Sequence, residues 1–455
     1  MEYLIRLAQW HQSFRVPELQ AVATLVGVDL EIIFYDDHSP YCIVKLPDEA
    51  AARALIARSI LAKDIFELWG HGENYDEVHA DVKTRAASLW PKYENVTFAF
   101  DMDTFCGKRS ASARLEIFKS FHYIPFKGSV KLKNPDEQFL VMERYLAQTE
   151  ATLQQIADTP NPLRIYLGRY IASSDRGAII EYDLKKRSYI STTSMDAELS
   201  LVTANMTLAA PGKLFYDPFV GTGSFLVAAA HFGALTMGSD IDPRSFRGKD
   251  EERKSKNDIA LLRNYQQYNT VSKYVDSFTS DLTNTPLRDC HFLDGIVCDP
   301  PYGVREGLRV LGTRDGKPLD PVVIDGVLNY YRPGYIPPKR PYGFEAMQKD
   351  ILAFAARALV TNGRIAMWMP TAIDEVGLPV PMDQHLEVVS VSTQTFGNWA
   401  RRLITYRRLP EGEFSDMSQA RSKEDARGVS ASEVNEFRRK VDISYFNKFQ
   451  DEQLE

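Results

Sequence analysis

Apolar and polar positions alternate along the first seventy residues in a repeating order of short runs. YLIRLAQ reads as a strand, and PELQAVATLVG follows with helical spacing and a proline at its start. EIIFYD and YCIVKLP are strand-like runs on either side of the turn-rich DDHSP. EAAARALIARSIL supplies a second helix and DIFELWG a last strand. The order βαββαβ is that of a ferredoxin-like α+β unit, assigned to residues 1–71.

A second unit is expected over 72–182. It holds a helical stretch to Trp90, the strand TFAFDMDTF and a helix in SARLEIFKSFHYI. Strand-rich sequence follows, including LRIYLGRYI and GAIIEYD. The pattern then changes to a βαβ series over 183–410, an α/β arrangement with a mostly parallel sheet. KLFYDP is a strand, SFLVAAAHFGAL a helix and TMGSD the next strand. FLDGIVCD is a continuous apolar run of the kind found in central parallel strands. FEAMQKDILAFAARALVTNG reads as a long helix ended by Gly363, with RIAMWMP the strand after it. LEVVSVST and RRLITYRR, joined through TFGNWA, predict an antiparallel pair at the end of the sheet. Residues 411–455 form a tail of mixed charge, partly helical.

The 455 residues are 44% hydrophobic and 25% charged, a globular balance long enough for about three domains. No run of about 18 apolar residues predicts a membrane span, and the first residues do not read as a signal peptide. Cys42, Cys106, Cys290 and Cys298 are scattered with no C-x-x-C pair. Neither a metal site nor a disulfide framework is expected, and a reducing, cytoplasmic setting follows. The net charge of −7 argues against a generic polyanion binder. That sum hides a local surplus. Between 104 and 133 seven basic residues (Lys108, Arg109, Arg114, Lys119, Lys127, Lys131, Lys133) face one acid, Glu116, whereas the first hundred residues hold nine basic and fifteen acidic. Phe118, Phe121, Tyr123 and Phe126 interleave with the basic stretch. It is read either as a nucleic-acid surface or as the solvated face of an amphipathic helix.

Four short elements carry chemistry. In DPFVGTGSFLVAAA a strand enters a turn at Gly221 and Gly223 and leaves as a helix, whose free N–H groups and bare backbone suit close ligand approach. Leu226 stands where a dinucleotide fingerprint needs its third glycine, so a nicotinamide site is disfavoured. Asp240 and then Asp242, in MGSDID, are candidates for a ribose, with a cap on the following helix as the alternative and the ligand role favoured for Asp240. Asp281, in SDLTNTP, can accept from an adenine amino group or cap a turn. The sharpest element is VCDPPYG. Pro300 and Pro301 fix the backbone after a buried strand, holding Asp299 and the Pro300 carbonyl as converging acceptors, and Tyr302 offers a flat face for a base. Two acceptors on the hydrogens of an exocyclic amine favour a tetrahedral nitrogen and stabilise positive charge as a methyl group arrives.

The set D-P-F-x-G-x-G, G-x-D-x-D, S-D and D-P-P-Y resembles class I S-adenosylmethionine-dependent methyltransferases acting on exocyclic amino groups of bases. The segment YDLKKRSYISTTSMDAELSLVTANM narrows the resemblance to the eukaryotic tRNA guanine-10 N2-methyltransferase family, over essentially the whole chain. It implies a Rossmann-like catalytic domain with a seven-stranded, mostly parallel sheet, preceded by ferredoxin-like and THUMP RNA-binding domains. By position, Asp217, Phe219, Gly221, Gly223, Asp240, Asp242 and Asp281 would line the cofactor, S-adenosyl-L-methionine. Thr193, Ser194 and Asp196 would approach it too, or merely cap the helix DAELSLVTANM. Asp299, Pro300, Pro301 and Tyr302 would meet the target guanine.

The resemblance also implies a tRNA substrate and a small zinc-binding methyltransferase activator protein as heterodimer partner. Lys108, Arg109, Lys119, Lys127 and Lys131 would contact RNA, and Arg401 and Arg402 in the final hairpin would reach phosphates or form a solvated face. YVDSFTS would be the sheet edge that the activator covers, with Tyr265 and Tyr268 adding an apolar face or packing inward. The long loop 303–342 is expected to order over cofactor or RNA. The rival readings are an amino-group methyltransferase on adenine or on protein glutamine, which more often carries Asn where Asp299 stands, and a non-catalytic RNA-binding subunit.

Overall fold

The computed structural model describes residues 1–147, 157–248, 259–304, 308–312, 321–332, 335, 338–419, 437 and 440. These fall into two compact units, Met1–Arg176 and Gly177–Glu455.

In the first unit the βαββαβ order holds: β1 (Glu2–Leu7), helix Gln12–Val26, β2 (Glu31–Phe34), β3 (Tyr41–Lys45), helix Glu49–Arg58 and β4 (Ala62–Gly72). Asp48 starts the second helix by accepting from the N–H of Ala51 at 2.8 Å. The first helix begins five residues before Pro17, because Phe14 and Arg15 are already buried in its first turn. Helix Tyr75–Arg85, β5 (Phe98–Phe105), helix Ala111–Ser120, β6 (Glu137–Arg144) and β7 (Arg164–Ser173) follow. All seven strands share one sheet, ordered β2-β3-β1-β4-β7-β6-β5, in which β4 pairs with β7 from Asp64 to Gly72. The expected division at residue 71 therefore lies inside β4, a strand common to both halves. Phe118, Phe121, Tyr123 and Phe126 pack into this unit's core against Trp69, Phe100 and Phe139. GAIIEYD differs from expectation: Gly177–Glu181 is a short helix opening the second unit.

The second unit is built on β8 (Leu214–Asp217), β9 (Leu235–Asp240), β10 (Tyr274–Thr279) and β11 (Leu293–Cys298). Two small ribbons follow: β12 (Arg309–Leu311) pairs with β15 (Lys339–Pro341), and β13 (Val323–Ile324) with β14 (Val327–Leu328). Helix Phe344–Ala358, β16 (Leu359–Ala372), β17 (Leu386–Phe396) and β18 (Trp399–Arg408) complete it. The sheet order is β10-β9-β8-β11-β16-β18-β17. The first five strands run parallel, and β18 enters antiparallel between β16 and the edge strand β17. The chain moves outward from β8 to β10 and then returns to the other side of β8. That reversal opens a crevice at the carboxyl ends of β8 and β11, where ligands of open α/β sheets bind.

Tyr216, Ile296, Ile351, Met367 and Ile404 fill the core on one face of the sheet. Gly363 does not end the long helix. The helix stops at Ala358, Asn362 takes the left-handed backbone at φ 64°, and Gly363 lies within β16. A Cβ there would sit 3.1 Å from the carbonyl oxygen of Asp294, so glycine serves close contact with β11.

Candidate active site

Four carboxylates end or follow four neighbouring strands. Asp217 closes β8 at 1% exposure, and its Oδ1 accepts from the N–H of Phe219 at 2.9 Å. Burial drives its carboxyl well above the ordinary range, and the negative neighbours Asp240 and Asp299 push the same way. Asp240 closes β9, with Oδ1 accepting from the N–H of Asp242 at 2.9 Å and Oδ2 from the N–H of Gly221 at 3.2 Å. Burial raises this carboxyl too. The glycine turn of one strand is thus tied to the acid of the next.

The two glycines differ. Around the missing side chain of Gly221 nothing lies closer than 3.9 Å, so its backbone is open to a ligand. At Gly223 a Cβ would collide with Leu261 Cδ1 at 2.2 Å, and φ is 79°, so this glycine serves the turn and its packing on helix Ala260–Gln267. Thr222 between them bonds Ser194, Oγ1 to Oγ at 2.6 Å, which brings the segment before the sheet to the turn. The G-x-G pattern pointed to the glycines and passed over Thr222. Thr193 is exposed beside Ser191. Asp196 caps helix Ala197–Met206 through the N–H of Leu199. Asp242 stands apart, held by Arg244 at 2.6 Å and lowered in pKa by that hydrogen bond.

Asp281 caps a single 3-10 turn, accepting from the N–H and hydroxyl of Thr283 at 2.8 Å through Oδ1. Its Oδ2 accepts from the N–H of Leu311 in β12 at 2.7 Å. The long loop after D-P-P-Y is therefore anchored at the third acid, and residues 305–307 and 313–320 of that loop lie outside the described residues.

Asp299 follows β11. It is half-buried overall, but its Oδ1 is sealed from solvent without a hydrogen-bond partner among the described residues. Burial pushes the carboxyl up to about 6, against the opposing pull of the Arg401 guanidinium and the Tyr302 hydroxyl. Pro300 is buried and Pro301 exposed. Tyr302 stands edge-on to Trp399, ring centres 6.2 Å apart, and Trp399 stacks on Phe396 at 4.6 Å. Phe437, described beyond Gln419 along with Lys440, joins the same aromatic cluster. The other tail residues beyond Gln419 are outside the described residues.

Two family models match the chain: "Tmrp11 THUMP N-terminal domain" over residues 1–176 and "RMKL-like, methyltransferase domain" over 185–310. Among curated proteins, the tRNA (guanine(10)-N(2))-methyltransferase of Saccharomyces cerevisiae is 40% identical over 89% of this chain and 92% of its own length. That of Schizosaccharomyces pombe is 36% identical over 91% of each. The Homo sapiens protein of the same name is 34% identical over 91% of this chain and 89% of its own length. The chain belongs to the tRNA (guanine(10)-N(2))-methyltransferase family.

Within that family frame, the basic residues divide into two sets. Lys108, Lys119, Lys127 and Lys131 are exposed, with Lys119 paired to Glu116 and Lys127 to Glu94. Arg109 is turned inward instead: it clasps the fully buried Glu143 through Nε and Nη2 at 2.9 Å. Arg402 is likewise withdrawn, 4% exposed and donating to the carbonyl of Leu378. The strand alternation that turns Arg402 inward turns its neighbour Arg401 to the other face, where its charge acts on Asp299. Arg401 donates to Gln394 Oε1 at 2.6 Å and lies 3.6 Å from Asp196.

Proposed function

We propose that this chain methylates the exocyclic N2 amino group of guanosine at position 10 of tRNA, using S-adenosyl-L-methionine. The sealed, unpartnered Oδ1 of Asp299 carries the reading, since a buried acceptor without a donor is costly unless a ligand supplies one. The residues also fit the cofactor. Asp240, its two oxygens already aligned by backbone N–H groups, keeps acceptor capacity for ribose hydroxyls. The space at Gly221 would admit the methionine part beside Asp217, and Asp281 would accept from the adenine amino group. When bound, the cofactor supplies an electrophilic methyl group.

Asp299 and the Pro300 carbonyl accept from the amine, orient its lone pair and stabilise the developing positive charge. Tyr302 replaces a stacking neighbour for the extruded base. After transfer the nitrogen gives up one proton, and Asp299 is placed to receive it. Exposed Lys108, Lys119, Lys127 and Lys131 offer the phosphate contacts.

The activator protein, in this reading, adds to β10. That strand is the sheet edge, and Val271 and Val275 are exposed on and before it. Tyr265 and Tyr268 are buried and leave the edge to the valines. Four free cysteines accord with a cytoplasmic enzyme. The test is nucleoside analysis of unmodified tRNA after reaction with the full chain and activator. N2-methylguanosine at position 10 is expected; another modified base or position overturns the reading.

A further inference from the structure

Arg401 and Asp299 form a cation and a carboxylate that face one site without closing on each other. Register sets Arg401 two residues beyond the level of Asp299. Cys298, one residue before Asp299, pairs with Met367, and three residues further along β16 Pro370 pairs with Arg401. The Arg401 guanidinium pulls the Asp299 carboxyl down against burial, yet no ion pair joins them among the described residues. The guanidinium is held by other groups. Its plane packs against Trp368 and Phe396, with the central carbon 4.9 Å and 5.4 Å from the ring centres. Gln394 fixes its Nε, and Asp196 draws one end at 3.6 Å. Only 17% of the side chain is exposed. The groups facing Asp299 are Arg401 from β18, Tyr302 from its own loop, and Asp217 and Cys298 from the strands beneath.

A buried acceptor beside a fixed donor cation is complementary to a ligand edge that carries donors followed by an acceptor. The Watson–Crick edge of guanine has that order: the N2 amine and N1–H are donors, and O6 is an acceptor. Arginine is the side chain that most often reads guanine oxygen. We propose that Arg401 is a specificity-determining residue that donates to O6 of the target guanine while Asp299 accepts from its amine. The proposal rests on the function proposed above and adds the recognition of the base to it.

The test is a cycle of two enzymes and two substrates. Full-length wild type and Arg401→Gln, each with the activator, act on tRNA carrying guanosine or 2-aminopurine at position 10. 2-Aminopurine keeps the amine but lacks O6 and N1–H. Loss of N1–H affects both enzymes alike and cancels in the cycle. Wild type is expected to favour guanosine in kcat/KM, and Arg401→Gln to reduce that preference roughly ten- to a hundred-fold, the range of a good base contact. Cofactor affinity should stay unchanged. An equal loss on both substrates overturns the proposal. Should Arg401→Gln not fold, Gln394→Ala, which frees the guanidinium from its tether, must lower the same preference, and an unchanged ratio is equally fatal. If wild type methylates neither substrate, the functional reading itself has failed; if it methylates guanosine but the ratio does not move, only the role of Arg401 falls.

Discussion

Oδ2 of Asp281 accepts a 2.7 Å hydrogen bond from the backbone N–H of Leu311, thirty residues downstream. The bond ties the ribbon β12–β15 to the acid that ends the β10 segment. An adenine amino group approaching Asp281 needs the same oxygen or its neighbour. Cofactor binding is therefore expected to change amide exchange at Leu311 and along Lys339–Pro341 by at least several-fold. Unaltered exchange across both strands with saturating cofactor would show that the ribbon does not respond to it.

Asp299→Ala should lower methyl transfer by a factor of a hundred or more, the order seen when a charge-stabilising group is removed, and leave cofactor binding intact. The pH dependence follows from the same group. Burial raises its carboxyl to about 6. Below that value it is protonated and one acceptor for the amine is lost, so kcat/KM should fall tenfold per pH unit on the acid side. Above it the rate should level off. A pH–rate profile flat from 5 to 8 would remove Asp299 from the proposed role.

Asp217 is buried with no cationic partner among the described residues, and its carboxyl is raised chiefly by burial. A raised carboxyl penalises the charged form, so the fold loses stability as pH rises through that value and regains it as pH falls. Asn cannot ionise and keeps an oxygen for the N–H of Phe219. Asp217→Asn should melt a few degrees higher than wild type at pH 8, with the gain shrinking towards pH 5, while cofactor affinity drops. Thermal melts of the cofactor-free proteins at the two pH values, with cofactor titrations beside them, check both halves.

The legible part of this site was local and the hidden part was set by pairing. D-P-P-Y and the acids at strand ends could be read because each lies directly after its own apolar run. Arg401 stands about a hundred residues from Asp299 in sequence, and only the antiparallel pairing of β18 on β16 brings it near. Arg109 and Lys108 look alike in a charge count, yet a buried Glu143 on β6 claims one of them. The helix ends at Ala358 rather than at Gly363, with Leu359 already extended, and the left-handed residue near Gly363 is Asn362, inside β16.

That division of the basic residues gives a contrast between two substitutions of the same kind. Lys131→Glu should weaken tRNA binding several-fold and reduce the slope of log affinity against log salt by about 1. Arg109→Glu should act on the fold instead. It leaves Glu143 buried beside a second carboxylate, a cost of about 3–5 kcal/mol for breaking such a pair. Filter binding over a salt series, read with a melting curve for each variant, separates a surface contact from a core one.

The edge strand β10 makes the last demand. Exposed Val271 and Val275 stand by a row of backbone groups that no strand among the described residues pairs on the outer side. Such an edge invites pairing with any extended chain, so the isolated protein should be poorly soluble or inactive, and co-expression with the activator should restore both properties. Val275→Lys places a charge on the edge and is expected to improve solubility of the isolated chain while weakening the heterodimer at least tenfold. Size-exclusion chromatography of the co-expressed variant measures this. A heterodimer of undiminished affinity would move the partner surface away from β10, whereas loss of the complex with cofactor binding preserved would hold it there.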